Sequence, residues 1–186
     1  MNTIDADINL WNEFINGNTQ SFTRLFRRHY ASLYKYGIKI YPHHEIVEDS
    51  IQELFTEIWQ SRNPAPVVSV RSYLLKALKY KLIKTIKKNS VISSGNDFNE
   101  NLNFQISHET FLVDQQYSQE KAAKVIKALD QLSARQKEII YLKFYQNLSY
   151  EEISEIMEIN YQAARNLVCQ AVKTLKNTFS IHTVKS

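Results

Sequence analysis

The chain has 186 residues, of which 44% are hydrophobic and 23% are charged, and its formal net charge at pH 7 is +4. This composition is ordinary for a globular protein of one or two domains, and the positive balance favours a polyanionic partner. The single cysteine, Cys169, excludes an internal disulfide framework. No apolar run approaches the ~20 residues of a membrane span, and the acidic start at Met1–Asp7 does not resemble a signal peptide. We therefore expect a cytoplasmic protein without membrane insertion.

Four amphipathic helices are predicted in the first half of the chain, because apolar residues recur there at helical spacing. They span residues 8–15, 19–40, 45–62 and 70–88. Turn sequences separate them, namely Asn16-Gly17-Asn18, Tyr41-Pro42-His43-His44 and Asn63-Pro64-Ala65-Pro66. The histidine pair does not predict a metal site, because no cysteine or further histidine stands at ligand spacing.

The third predicted helix has two contrasting sides. Its core side carries Val47, Ile51, Leu54, Phe55 and Ile58. Its opposite side is acidic and rich in amides, with Asp49, Gln52, Glu53, Thr56 and Gln60. Such a face is usually only solvated, but an exposed Trp59 at its edge favours a protein interface, since tryptophan is a common interface anchor.

The fourth predicted helix has one apolar arc and one basic face. Leucines and Ile86 form the arc, and the opposite face carries Lys76, Tyr80, Lys81, Lys84, Lys87 and Lys88, with Tyr73 alongside. No Asp or Glu occurs between Asn63 and Asn96. Lysine neutralises phosphates and tyrosine can stack on unpaired bases, so this face is interpreted as a nucleic-acid surface. A merely solvated face is less favoured, because such faces normally mix both signs of charge.

Residues 89–118 change in character and predict a linker. This stretch carries four acidic residues and no Lys or Arg. Its apolar residues are possible docking points, namely Phe98, Leu102, Phe104 and Phe111. Two helices are predicted after it, at residues 119–131 and 133–145, the second opened by a capping box formed by Ser133 and Gln136.

A helix-turn-helix pattern follows the linker and its two helices. Ser149 and Glu152 form another capping box, and Asn160 is a good N-cap for a second, longer helix. The turn carries Met157 and Glu158 where glycine is common, so we expect it to close without a residue at positive φ. The longer helix has a polar outer face with Gln162, Arg165, Asn166, Cys169, Gln170 and Lys173.

The residue types on this polar face suit the major groove of DNA. Arg, Asn and Gln make bidentate hydrogen bonds to base edges, and here they project from the first turns of the candidate recognition helix. The alternative is an ordinary helical hairpin with a solvated polar face.

The predicted fold class is all-α, with helical domains at residues 8–88 and 119–177 joined by the acidic linker at 89–118. Three functions fit two helical domains that each carry a nucleic-acid face. One is a stand-alone helix-turn-helix transcription regulator with a helical sensor or interaction domain. Another is an enzyme acting on nucleic acid, which is disfavoured because the carboxylates lie mostly on outer helix faces and Cys169 has no histidine at hand. No catalytic residue and no cofactor is predicted.

The third function comes from a resemblance to a known family. Residues Ile46–Trp59, with an acidic pair followed by Gln-Glu, Phe and Trp, resemble region 2 of the sigma-70 family of bacterial RNA polymerase sigma factors. Residues 72–81 are similar to the promoter-melting helix that follows this signature, and Leu129–Leu175 is similar to region 4. The order and separation of these parts resemble the extracytoplasmic-function (ECF) subfamily.

The resemblance implies a role for each surface. In the polymerase core, the coiled coil of the largest subunit would bind Asp49, Gln52, Glu53 and Trp59. The minus-10 promoter element would be opened and read by Arg71, Tyr73, Lys76, Lys79, Tyr80, Lys84, Lys87 and Lys88. The minus-35 element would be read as duplex DNA by Tyr161, Gln162, Arg165, Asn166, Gln170 and Lys173. Further implied partners are the flap of the second-largest subunit and an anti-sigma factor.

The two promoter elements set a distance that the chain must cover. Their centres lie about 25 base pairs apart, on the order of 80 Å at roughly 3.4 Å per pair. A flexible linker of about 30 residues has a relaxed span of about 30 Å and a full extension of roughly 100 Å. We therefore expect weak DNA binding by the free protein and strong binding once the polymerase holds both domains in place.

Overall fold

The fold is seen in a computed structural model that describes residues 3–61, 67–93, 104–106 and 127–183. Within these residues every regular element is a helix. They fall into two compact units, one comprising residues 1–99 and the other comprising most of residues 100–186. The predicted all-α fold class is confirmed.

The N-terminal unit contains four helices, α1 to α4. Their bounds are Thr3–Ile15, Thr19–Ile40, His44–Ser61 and Val70–Ser93. Helix α2 packs against the other three, and α4 also contacts α1 and α3. The buried side chains come from the predicted apolar faces, including Leu25, Leu33, Val47, Ile51, Leu54, Leu74, Leu78 and Leu82.

The start of α2 follows from its capping residue. The side chain of Asn18 accepts hydrogen bonds from the backbone N–H groups of Gln20 and Ser21, which satisfies two donors that a helix start leaves open. Helix α1 starts at Thr3, five residues before its predicted start at residue 8. The early start of α1 is explained by its contact with α2. Buried Asp7 of α1 lies 3.0 Å from Arg28 Nη1 and 3.2 Å from His29 Nε2, both on α2.

Helices α2 and α3 approach each other closely at Gly37. A Cβ atom added there would lie 2.6 Å from Val47 Cγ1, well inside ordinary van der Waals contact. Gly37 has ordinary helical geometry, so the position requires glycine for space rather than for backbone freedom. This close approach fixes the relation between the faces of α2 and α3.

Two described stretches, 89–93 and 104–106, fall inside the linker predicted at residues 89–118. Helix α4 continues to Ser93, past its predicted end at Lys88, because no Gly or Pro interrupts residues 89–93. Phe104, one of the predicted docking points, is buried and packs against Tyr141 of the C-terminal unit, with ring centroids 5.6 Å apart. The other predicted docking points, Phe98, Leu102 and Phe111, lie outside the described residues.

The C-terminal unit begins in the described residues with a helical stretch at 127–130, inside the predicted helix at 119–131. Helix α5 (Ala134–Ile140) opens with the predicted capping box of Ser133 and Gln136. One π-helical turn, Tyr141–Tyr145, then replaces the regular helix that the sequence predicts. In that turn Gln146 donates its backbone N–H to the Tyr141 carbonyl, and its side-chain amide donates to the Tyr141 hydroxyl at 2.9 Å.

The helix-turn-helix is formed by α6 (Tyr150–Met157) and α7 (Tyr161–Thr183). The capping box of Ser149 and Glu152 is present, and Asn160 Oδ1 accepts the Ala163 N–H at 2.7 Å, so both predicted helix starts are confirmed. The prediction for the turn was wrong, because Glu158 is left-handed with φ 53° and ψ 48°. Its backbone N–H donates to the Ser154 carbonyl, so the closing hydrogen bond offsets a conformation that glycine would adopt more easily.

Candidate functional surfaces

The acidic face of α3 is one continuous, exposed surface. Asp49, Gln52, Glu53 and Thr56 are exposed as predicted, while Val47, Ile51, Leu54 and Ile58 on the opposite side are buried. A surface groove of about 410 Å³ runs along this side and is lined by Asp49, Gln52, Glu53, Thr56 and Glu57. These five residues are called the α3 acidic face. Its charge and amide groups suit a partner that offers basic and hydrogen-bonding side chains.

Glu57 is the member of this face that the sequence reasoning missed. Its spacing of four residues from Glu53 places it on the same side of the helix, and this spacing could have identified it. Its carboxylate is exposed and contacts α4 as well as solvent.

Trp59 does not stand exposed at the edge of α3. Its indole packs against Phe22, with ring centroids 5.0 Å apart, and stacks on Phe14 at 6.0 Å. The expectation of an exposed tryptophan was therefore wrong, because α1 and α2 supply aromatic neighbours that the α3 sequence alone does not reveal. Trp59 still lines an apolar groove of about 440 Å³ beside the α3 acidic face, together with Phe22, Thr23, Phe26, Gln52, Phe55 and Thr56.

The predicted basic face of α4 is only partly open. Tyr80, Lys84, Lys87 and Lys88 are exposed, so the C-terminal half of the face is accessible. Four further predicted residues are half-buried, namely Arg71, Tyr73, Lys76 and Lys79. The predicted minus-10 residues from Tyr73 to Lys88 are here called the α4 basic face, whose N-terminal part is shielded. Arg71, in the first turn of α4, lies instead on the side of buried Leu78 and Leu82.

Tyr73 shows how this shielding arises. Its ring packs edge-on against buried Trp11 of α1, with centroids 5.4 Å apart. Burial, followed by the charge of Glu57, raises the pKa of the Tyr73 hydroxyl above its ordinary value. Tyr73 is therefore a neutral, partly covered aromatic residue at the edge of the α4 basic face.

Lys81 does not stand with the other lysines of this face. Its Nζ lies 2.7 Å from Glu57 Oε1 and 3.2 Å from Glu53 Oε2, so the side chain bridges to α3. Partial burial alone would lower the pKa of Lys81, but the hydrogen bonds and charges of Glu57 and Glu53 raise it above its ordinary value. The prediction that Lys81 is an available member of the basic face was wrong, because a neighbouring helix supplies its partners.

The outer face of α7 carries the predicted polar residues, and all of them are exposed. They are Tyr161, Gln162, Arg165, Asn166, Gln170 and Lys173, here called the α7 polar face, with exposed Cys169 among them. Gln162 Nε2 donates to Asn166 Oδ1 at 3.0 Å, and the Arg165 guanidinium lies 6.0 Å from the Tyr161 ring. The opposite side of the helix is buried through Ala164, Val168 and Ala171. Donors and acceptors are thus displayed on a helix whose other side is fixed in the core.

Other possible sites are not supported in the residues that the structure describes. No group of three or more His, Cys, Asp or Glu side chains in these residues could hold a metal ion. His44 Nδ1 is hydrogen-bonded to the Tyr34 hydroxyl, and His43 stacks on Tyr41 with ring centroids 6.0 Å apart. Among the described helices, none combines the length and apolar character needed to cross a membrane.

Comparison with known proteins matches both units to one family. The model of Sigma-70 region 2 matches residues 25–91, which contain most of α2, all of α3 and most of α4. The model of Sigma-70, region 4, matches residues 122–175, which contain α5, α6 and most of α7. Together these matches cover more than half of the 186 residues.

A known sigma factor is similar to the chain over most of its length. The RNA polymerase sigma factor SigV of Bacillus subtilis (strain 168) is 28% identical over 134 residues, which cover 71% of this chain and 72% of that protein.

Two solved structures share the fold. CnrH, in complex with the cytosolic domain of CnrY, is 18% identical with a TM-score of 0.63, covering 95% of this chain and 98% of that one. The sigma factor RpoE from Bartonella quintana, in complex with the anti-sigma factor NepR, is 21% identical with a TM-score of 0.60, covering 88% and 99%.

The two family matches fall on the two units whose faces were described above, in the order region 2 and then region 4. The helix-turn-helix and the α3 and α4 faces lie inside the matched residues. The chain therefore belongs to the sigma-70 family and is an RNA polymerase sigma factor of the ECF type.

Proposed function

We propose that three surfaces divide the work of this sigma factor. The α3 acidic face, with Trp59 in the adjoining groove, binds the coiled coil of the largest subunit of core polymerase. The α4 basic face opens and reads the minus-10 element, and the α7 polar face reads the minus-35 element as duplex DNA. The α7 polar face supports this division best. Its Arg, Asn and Gln side chains can make bidentate hydrogen bonds to base edges. They are exposed on one side of a helix whose opposite side is buried.

Melting at the minus-10 element needs energy that the α4 basic face can supply. Moving a base out of the stack costs a few kcal/mol, and stacking on an aromatic side chain returns ~1–3 kcal/mol per base. Tyr80 is 49% exposed and is flanked by exposed Lys84, which can hold the adjacent phosphates. Tyr80 is therefore better placed for stacking than Tyr73, whose ring is partly covered by Trp11.

The remaining partners follow from the family and from the relatives. The flap of the second-largest polymerase subunit is the proposed partner of the C-terminal unit, and an anti-sigma factor is the proposed inhibitor. We assign the protein to the cytoplasm, without catalytic residues or a cofactor. The domain limits of residues 8–88 and 119–177 remain our proposal for the two domain cores, and α1 and α4 extend the first domain to Thr3 and Ser93. Free protein should bind promoter DNA weakly, because the two DNA surfaces need the polymerase to set their separation.

Run-off transcription tests the function as a whole. Core polymerase, fragmented genomic DNA of the host and the purified chain should together yield transcripts with discrete start sites, whereas core polymerase alone should not. A free-standing regulator would bind DNA without core polymerase and would leave transcript starts unchanged. The promoters recovered in this way provide the DNA for the tests of promoter recognition and promoter opening.

Paired substitutions test the individual surfaces. Asp49→Ala with Gln52→Ala should weaken binding to core polymerase, whereas Glu45→Ala, in the exposed first turn of α3, should not. Arg165→Ala should cost ~1–3 kcal/mol and relax base preference in the minus-35 element, whereas Lys173→Ala should weaken all sequences equally. Unchanged polymerase affinity in the double variant would remove the α3 acidic face from the assignment. Unchanged base preference would remove Arg165.

A further inference from the structure

Lys81 lies where the α4 basic face meets the α3 acidic face. Its ammonium is held between two carboxylates, at 2.7 Å from Glu57 and 3.2 Å from Glu53. The lysine side chain is 18% exposed, whereas the glutamate side chains are 65% and 70% exposed. The lysine is thus shielded from solvent while both of its partners remain accessible from outside.

This arrangement removes Lys81 from the positive surface of α4. Two carboxylates offset its single charge, and they also repel a phosphate that approaches the same edge. The effect of Glu57 extends along α4, because its charge contributes to the raised pKa of the Tyr73 hydroxyl. In the free protein, the DNA surface of α4 is therefore weakened along the edge that faces α3.

The same carboxylates belong to the proposed polymerase site. Both carboxylates are exposed, so solvent and salt weaken their attraction for Lys81 and an arriving cation can compete for them. An arginine-rich surface that docks on the α3 acidic face would engage Glu53 and Glu57 with charge-assisted hydrogen bonds. Lys81 would then be released, and its flexible four-carbon chain could turn toward a phosphate beside exposed Lys84.

We propose that Glu53 and Glu57 form an acidic clamp that withholds Lys81 from DNA in the free protein. Docking of a basic polymerase surface on the α3 acidic face opens the clamp and transfers Lys81 to the promoter backbone. This proposal rests on the proposed function, since it needs both the polymerase site on α3 and the DNA surface on α4. According to this proposal, binding to polymerase strengthens binding to DNA because Lys81 becomes available to the phosphate backbone.

The free chain provides the first test, with fluorescence anisotropy of a labelled oligo(dT) single strand as the measurement. Lys81→Met should leave the affinity within about twofold of the wild type, because the lysine is already withheld. Glu53→Gln with Glu57→Gln should bind about fivefold tighter at ~0.1 M salt, with a log–log salt slope steeper by about 0.7, as expected for one added phosphate contact. Adding Lys81→Met to that double variant should abolish the gain.

Lys84→Met separates this proposal from the proposed function. Lys84 is exposed on α4, so its loss should weaken oligo(dT) binding about fivefold in every background. If Lys84→Met has no effect, the α4 basic face itself is refuted. If Lys81→Met weakens the free chain as much as Lys84→Met does, the clamp alone is refuted. The clamp is also refuted if the gain in the glutamine variant survives Lys81→Met, because the gain then reflects only lost negative charge.

The polymerase complex provides the second test, on a promoter recovered by run-off transcription and with saturating core polymerase. Lys81→Met should reduce promoter opening, measured by permanganate reactivity of unpaired thymines, although it is neutral in the free chain. Methionine preserves the apolar stem of the side chain, and thermal unfolding should confirm that the variant folds. Lys81→Gln serves as a second variant. Normal promoter opening in both variants would overturn the proposal.

Discussion

Replacing Gly37 with alanine tests how closely α2 and α3 must pack to present the α3 acidic face and the adjoining groove. The added Cβ would lie 2.6 Å from Val47 Cγ1, whereas its contacts with Leu78 and Leu82 would be ordinary at 3.5 Å. Carbon atoms in contact normally stand about 3.5–4.0 Å apart, so Val47 would have to move by about 1 Å. Val47 is fully buried and β-branched, so it has little freedom to do so.

Two opposing free energies decide the outcome. Alanine in place of glycine inside a helix gains ~0.5–1 kcal/mol, whereas overpacking a close-packed core costs about 1–3 kcal/mol. Gly37→Ala should therefore destabilise the N-terminal unit by about 1–2 kcal/mol. In a Val47→Ala background the obstructing methyl group is absent, so the same substitution should stabilise the unit by ~0.5–1 kcal/mol. The effect of Gly37→Ala should change sign between the two backgrounds.

Denaturant unfolding followed by tryptophan fluorescence measures this effect. Both tryptophans of the chain, Trp11 and Trp59, lie in the N-terminal unit, so the signal reports that unit alone. A stabilising Gly37→Ala in the otherwise wild-type chain would refute the argument. Equal destabilisation in both backgrounds would also refute it, because Val47 would then not be the obstacle.

Two further predictions concern backbone strain and pH. Glu158→Gly should stabilise the C-terminal unit by ~0.5–1 kcal/mol. Left-handed geometry costs a non-glycine residue roughly 1–2 kcal/mol, and about half of the gain is lost because glycine has more chain entropy when unfolded. Amide hydrogen exchange in α6 and α7 measures the change in stability. The N-terminal unit should lose stability as the pH falls through 6.5, because the pKa of His29 is lowered in the folded protein. Burial is the main cause of the lower pKa, the charges of Arg71 and Arg28 add to it, and Asp7 opposes it. The unfolded chain then binds more protons than the folded one, and the difference disappears only below the lowered pKa.

Matched variants provide the controls for these two predictions. Glu158→Ala keeps the strained conformation and removes only the carboxylate, so it should not reproduce the gain seen with glycine. His29→Gln should flatten the dependence of unfolding free energy on pH between about pH 5 and 7. An alanine variant as stable as the glycine variant would contradict the strain argument. An unchanged pH dependence in His29→Gln would assign the effect to other groups.

Local signals predicted much of the fold correctly. The capping boxes at Ser133 and Ser149 involve residues only three positions apart, so the sequence contains both partners and the structure confirms them. Helical periodicity also predicted the exposed α7 polar face and the buried leucines of α4. These features depend on the direction of a side chain relative to its own helix axis, which spacing determines.

The errors at the functional surfaces concern mainly contacts between helices. Periodicity placed Lys81 outside the core of α4, but only the packing of α3 against α4 brings Glu53 and Glu57 to it. Trp59 was expected at an exposed edge, and α1 and α2 cover it with Phe14 and Phe22. The left-handed conformation of Glu158 was not predicted either. The need for a residue at positive φ comes from how α6 must end before α7 begins, and the residue type does not reveal it.

By itself, the sequence determined most of the helices and their polar and apolar faces, because short-range spacing specifies these features. The order of the two family regions came from the resemblance of their motifs to the sigma-70 family. Only the tertiary structure decided which charged groups are available to a partner. The effect of a charged side chain depends on its distance from neighbouring charges. The carboxylates that contact Lys81 lie on α3, 24 and 28 residues earlier in the chain. Tertiary packing thus sets Lys81, which the α3 carboxylates hold, apart from exposed Lys84 and Lys88 on the same helix.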